Sequence, residues 1–134
     1  MRRLRKHVRA EIASAASAIR SAGQPDQCVA TSKTFRQLAR IAGAAPSSDG
    51  PYARRALRQA DTADLAARLP KMTVAARSQL PGVSRLRAPQ LAAGAIVADA
   101  AMDLLQLPVL EICPWALREG VILRRMDGLS AFDD

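Results

Sequence analysis

The chain has 134 residues, room for one domain or part of one and too few for two separate cores. Apolar residues make up 49% and aromatic residues only 3%, which excludes a disordered tail and leaves Ala, Leu, Val and Ile to build the core. The formal charge is +8, nearly all from arginine, and it suits an anionic partner: polyphosphate, nucleotide, nucleic acid or an acidic protein surface. A GC-rich coding sequence with no such partner yields the same balance.

An Ala-rich core buries less apolar area per residue than a Leu- or Phe-rich one, so its margin of stability is thin unless a partner covers part of it. Cys28 and Cys113 lie far apart in apolar runs and read as free thiols. No apolar run reaches 18 residues, which argues against a membrane helix. The basic residues after Met1 lead into no apolar signal-peptide core, so the expected location is the cytoplasm.

Leu4, Val8, Ile12, Ala15 and Ile19 recur at helical spacing and predict a helix over 4–22, ended by Gly23 and Pro25. Gln27 to Thr31 reads as a short buried strand. Ser32 then caps a helix running to Ala42, with Gly43 as its stop. Residues 44–51 form a loop by composition. Helices are expected over 52–59, 62–69 and 72–80, before the break at Pro81-Gly82. Residues 86–105 are apolar on nearly all sides, the pattern of a buried helix, and Gly94 inside it marks a close backbone approach. Val109 to Cys113 reads as a second strand, residues 116–126 as a helix, and residues 127–134 as a polar tail. Alternating strands and helices predict an α/β arrangement. Two strands alone make no self-sufficient sheet, so further strands are expected from sequence outside these residues.

Three places could carry chemistry. Val29 to Thr34 lies at a strand-to-helix junction, where unpaired N–H groups and a partial positive charge suit phosphate. Thr31, Ser32 and Thr34 add hydroxyls and Lys33 a point charge; the same residues also describe an ordinary Ser-capped helix. Trp115 to Gly120 lies at a second such junction, where Arg118 and Glu119 could orient each other or a ligand, or form a surface ion pair. Arg85 and Arg87 open the long apolar helix against its dipole, which points to an anion or a partner carboxylate, or to solvated arginines. The single His7 argues against a His-based triad or metal cluster, and neither zinc spacing nor a Walker loop is present. Thr34 to Gly43 also reads as the first helix and turn of a helix-turn-helix, but the breakers from Pro46 to Pro51 fall where a recognition helix should begin. A nucleic-acid partner is therefore disfavoured.

Taken in order, Val29-Ala30-Thr31-Ser32-Lys33-Thr34-Phe35, Arg87-Ala88, Ala92-Ala93-Gly94-Ala95 and Ala116-Leu117-Arg118-Glu119-Gly120 resemble the exopolyphosphatase and guanosine pentaphosphate phosphohydrolase family, in its short actinobacterial form. The resemblance implies an incomplete ribonuclease-H-like second domain of the actin, sugar-kinase and heat-shock-protein-70 superfamily, helix-rich and with two predicted strands. Residues 1–129 would be the C-terminal part of the phosphatase domain, and residues 130–134 a polar tail. It further implies removal of terminal phosphate from inorganic polyphosphate or guanosine pentaphosphate, with Mg2+ in the intact family. The family's catalytic glutamate and Gly-rich phosphate loops precede the matching region, and these 134 residues hold none of them. The resemblance therefore assigns this chain no catalytic residue and no metal ligand. It carries over Thr31, Ser32, Lys33, Thr34 and Arg118 as phosphate or ligand contacts, and it implies an inactive chain that pairs with a separate N-terminal half or as a homodimer. One departure stands out: the loop glycine of relatives is Ala30 here, whose β-carbon is expected to crowd a ligand.

Overall fold

The apolar stretch in the second half of the chain becomes the helix on which the others pack. In the computed structural model, which describes residues 1–23 and 25–130, this helix, α5, spans Ala88–Leu104 and buries Leu91, Ala92, Ala95, Ile96, Ala98 and Met102. Pro89 sits in its first turn, where a missing N–H costs nothing. Helix α1 (Arg2–Ser21) lies along α5, tied by an Arg9–Asp103 ion pair at 2.7 Å and by Arg20, which donates to the Leu104 carbonyl at 3.2 Å. Helices α2 (Lys33–Ile41), α3 (Gln59–Arg68) and α4 (Val74–Ser78) also touch α5. Both α2 and α4 start on a hydroxyl cap: Ser32 accepts from the Phe35 N–H and Thr73 from the Ala76 N–H.

Gly94 is where α2 meets α5. A β-carbon there would lie 2.5 Å from Thr34 Cγ2, so only glycine allows this approach. The expected close contact is present, and its partner is Thr34.

The sheet has three strands, one more than the sequence pattern predicts. Its order is β1 (Val29–Ala30), β3 (Val109–Ile112), β2 (Ala56–Arg58). β1 runs parallel to β3, with Val29 opposite Glu111; β2 runs antiparallel, with Leu57 opposite Leu110. Strand β2 replaces the helix expected over 52–59. Leu57 is fully buried between exposed Ala56 and Arg58, an alternation of period two, and pairing with β3 satisfies the backbone. The neighbouring helix accordingly starts at Gln59, and the one expected over 72–80 contracts to five residues. The core lies between this sheet and α2, α3 and α5, joining Ala30, Leu57, Leu110 and Ile112 to Leu38, Leu65, Leu69 and Ile96.

Helix α6 (Leu117–Ser130) leaves the core, with Leu117 82% exposed and Val121, Ile122 and Leu123 exposed beyond it. It extends through residues 127–130, which the sequence pattern assigned to a tail; residues 131–134 lie outside the described residues. No helix among the described residues is long and apolar enough to cross a membrane. After α2 the chain passes into a 3₁₀ turn (Ser47–Asp49) and then β2, so no second helix completes a helix-turn-helix.

Candidate functional site: a cationic cleft at the strand ends

Parallel pairing brings the C-terminal ends of β1 and β3 together, and the antiparallel β2 enters the sheet from the same side. Open α/β sheets place ligands at this end. Here three turns converge: Thr31-Ser32 leading into α2, Cys113-Pro114 after β3, and the loop carrying Arg55 before β2. Between them lies a cleft of about 950 Å3.

Five cations line it: Lys33, Arg36 and Arg40 from α2, Arg55, and Arg87 at the start of α5. The three on α2 follow spacings of three and four and so share one face. No carboxylate is among the lining residues. Arginine guanidinia fix the surrounding loops through backbone oxygens. Arg55 donates to the carbonyls of Ala45 (2.9 Å), Ala53 (2.9 Å), Gly50 (3.0 Å) and Pro46. Arg36 donates to Thr31 O at 3.1 Å and Pro114 O at 3.4 Å, tying the two strand-end turns together, and Arg40 to Ala44 O at 3.0 Å. The Arg36 Nε is buried without a partner. Carbonyl partners orient a guanidinium and leave its charge uncompensated, and among the described residues none of the five cations forms an ion pair. Gly82, at φ +73°, lets the loop before α5 close on α2, where a β-carbon would meet Arg40 Cγ at 2.8 Å.

Of the residues singled out in the sequence, Lys33 and Arg87 line this cleft. Ser32 spends its hydroxyl on the α2 cap, and Thr31 is exposed with its carbonyl on Arg36. Thr34 turns its methyl to Gly94. Arg118 is exposed on the first turn of α6, outside the cleft lining. Beside it the Glu119 carboxylate accepts from the Ala116 N–H at 2.8 Å. That bond, then its own N–H and the charges of Arg118 and Arg36, holds Glu119 below the usual carboxylate range. Ala30 is 7% exposed and faces the core, so its β-carbon is not presented to a ligand as expected. Sequence reasoning missed Arg36, Arg40 and Arg55. The cation spacing on α2 is visible in the sequence, but the segment drew only the helix-turn-helix reading, which its breakers disfavour.

The donors here do not fit a divalent cation: the cleft wall is cationic, and among the described residues no three His, Cys, Asp or Glu cluster to ligate one.

Strand ends, helix cover and a positive cleft at the carboxyl edge of the sheet define an α/β architecture. The chain belongs to the Ppx/GppA phosphatase family, whose model matches residues 1–129. Exopolyphosphatase 1 of Mycobacterium leprae (strain TN) is 51% identical over 124 residues, covering 92% of this chain and 37% of that protein. Exopolyphosphatase 1 of Mycobacterium tuberculosis (strain H37Rv) is 52% identical over the same length, covering 36% of it. The chain thus spans little more than a third of these relatives. In structure it is similar to the Aquifex aeolicus Ppx/GppA phosphatase (type II variant), with a TM-score of 0.74 at 20% identity, covering 93% of this chain and 40% of that one. A second Aquifex aeolicus family structure gives 0.72 at 18% identity. The fold is therefore the actin/sugar-kinase-like fold of these phosphatases.

Proposed function

We propose that this chain is the phosphoanion-holding part of an exopolyphosphatase-type hydrolase, and that it grips a polyphosphate or guanosine polyphosphate chain without cleaving it. The observation that carries this reading is the cleft lined by five cations, none of them neutralised by a carboxylate within ion-pair distance among the described residues. Phosphoryl transfer to water needs positioned positive charge and also an activated nucleophile. The cleft offers the first. Lys33 and Arg87, which line the cleft, contact phosphate directly, and Thr31 and Ser32, in the turn that leads into Lys33, are the further candidate contacts. Thr34 places α2 through its packing on Gly94, and Arg118 acts as a supporting cation on α6.

Hydrolysis then requires carboxylates and metal ligands from outside these 134 residues. The test is incubation of the purified chain with long-chain polyphosphate and Mg2+. Salt-sensitive binding without release of phosphate is expected. Phosphate release by the chain alone that disappears in Lys33→Ala would sink the non-hydrolysing reading, and failure to bind polyphosphate would sink the holding one.

A further inference from the structure

Arg36 lines the cleft and also holds the turn from which α6 departs. One terminal nitrogen of its guanidinium donates to Thr31 O at 3.1 Å, and the other to Pro114 O at 3.4 Å. The second bond is long, since N–H···O bonds normally end near roughly 3.2 Å. The Nε, a third donor, is buried with no partner at all. A buried N–H left unpaired is costly, so this guanidinium is not in its best hydrogen-bonding arrangement while the cleft holds no anion.

The turn it holds is the seat of α6. Residues 113–116 join β3 to α6, and Cys113 N donates to Ala30 O at 3.0 Å, which fixes the strand side. Ala116 belongs to the helix side, its N–H closed on Glu119. Among the described residues, the bond from Arg36 is the sole hydrogen bond from residues 114–116 to the body of the fold. Trp115 adds one edge-to-face contact with Tyr52, the ring centroids 6.5 Å apart. Beyond it α6 leaves the core with Leu117, Val121 and Ile122 exposed, so little else fixes its direction. The charge of Arg36 also reaches Glu119 in the first turn of the helix. We infer that Arg36 is a positioning residue that couples the cleft to α6: an anion in the cleft draws the guanidinium off Pro114 O and frees the turn on which α6 is seated. A charge-assisted bond is roughly twice as strong as one to a neutral carbonyl, and the planar fork matches two oxygens of one phosphate group. Turning to offer Nε and a terminal nitrogen to the anion pairs the orphaned donor and gives up the longer bond. By linkage, whatever fixes α6 in its present seat weakens the hold of the cleft on the anion by the same factor.

The inference rests on the cleft being a phosphoanion site, and one experiment separates the two ideas. Trp115 is the sole tryptophan and lies in the turn that would be freed. Its quenching by acrylamide, a neutral probe that the cleft cations do not attract, reports how open that turn is. Calorimetry first establishes saturation of the full chain with inorganic tripolyphosphate, against sodium chloride at equal ionic strength. The quenching constant of the wild-type protein should then rise about twofold, because Trp115 is only 42% exposed while the turn is held. Arg36→Lys and Arg36→Ala both lack the fork that spans the two turns. Each should bind tripolyphosphate more weakly, show a raised constant without ligand, and respond to saturating ligand by less than about a fifth. The lysine variant keeps a cation in the cleft, so a lost response there is not lost charge, and the wild-type measurement stands even where a variant fails to fold. If tripolyphosphate does not bind, the cleft reading fails and takes this inference with it. If it binds and the wild-type constant does not rise, the coupling is overturned and the cleft stands. A rise that persists in both variants overturns the assignment to Arg36.

Discussion

Gly94 and Thr34 test the fold at a single contact. Alanine is the better helix former by about 1 kcal/mol, so Gly94→Ala in an unconstrained helix would stabilise. Here the added β-carbon would lie 2.5 Å from Thr34 Cγ2, inside the junction of α2 and α5. Overpacking of this kind costs about 1–3 kcal/mol, so Gly94→Ala is expected to lower the urea midpoint at unchanged slope. Thr34→Ala removes the opposing methyl, and in that background Gly94→Ala should be neutral or stabilising. A raised midpoint for the single Gly94→Ala protein would contradict the contact. The glycine was legible in the sequence as a small residue inside an apolar helix; its partner was not, because Thr34 stood among the candidate ligand hydroxyls. Arg55 was less legible still. Its four acceptors are carbonyls of residues 45, 46, 50 and 53, and a carbonyl leaves no mark in a sequence. Arg55→Ala strands these oxygens and is expected to open the 44–53 loop to limited proteolysis, with Arg55→Lys recovering only part of the protection because an ammonium lacks the planar fork.

Among the elements, those marked by long periodicity or a clear stop were readable: α1, α2 and α5 lie where hydrophobic spacing and Gly23 or Gly43 place them. β2 was not, since three residues in an Arg-rich stretch carry too little alternation, and only pairing with β3 makes them a strand. α6 was foreseen as a helix, but its detachment from the core was not, because apolar residues say nothing about whether a partner is present. Its start depends on Glu119, whose carboxylate closes the first turn on the Ala116 N–H. The folded pKa of this group lies below its ordinary value of 4.5. Its contribution is therefore complete above about pH 4.5 and is lost as the pH falls through the depressed folded value. The Ala116 amide is expected to lose hydrogen-exchange protection as the medium is acidified below that point, and Glu119→Gln should remove the acid dependence. Asp99 behaves in the opposite sense. Burial, opposed by Arg5, raises its carboxyl above 3.8, so protonation there favours the folded state as the pH falls. Because the two groups oppose each other, a residue-specific amide readout at Ala116 is needed, and a global acid melt would mix them.

At the scale of the molecule, a charge of +8 on 134 residues is a repulsive load. The cleft concentrates it: five cations surround one hollow, and three of them are held there by carbonyls that do not neutralise them. A polyanion that enters the cleft relieves this repulsion only in the folded chain, because the unfolded chain scatters Lys33, Arg55 and Arg87 along its length. Such a ligand stabilises the fold by RT ln(1 + [L]/Kd), about 2.7 kcal/mol at a hundredfold excess over Kd. For a chain of this size each kcal/mol moves the melting temperature by about 3 °C. Saturating tripolyphosphate is thus expected to raise Tm by roughly 8 °C, measured against sodium chloride at equal ionic strength so that general screening cancels. Removing two of the five cations in Lys33→Ala/Arg87→Ala should raise the unliganded Tm or leave it unchanged, since repulsion falls, while most of the tripolyphosphate shift disappears. A shift that persists in the double variant would place the anion elsewhere, and the basic face of α1, with Arg2, Arg3 and Lys6 exposed, would be its next address.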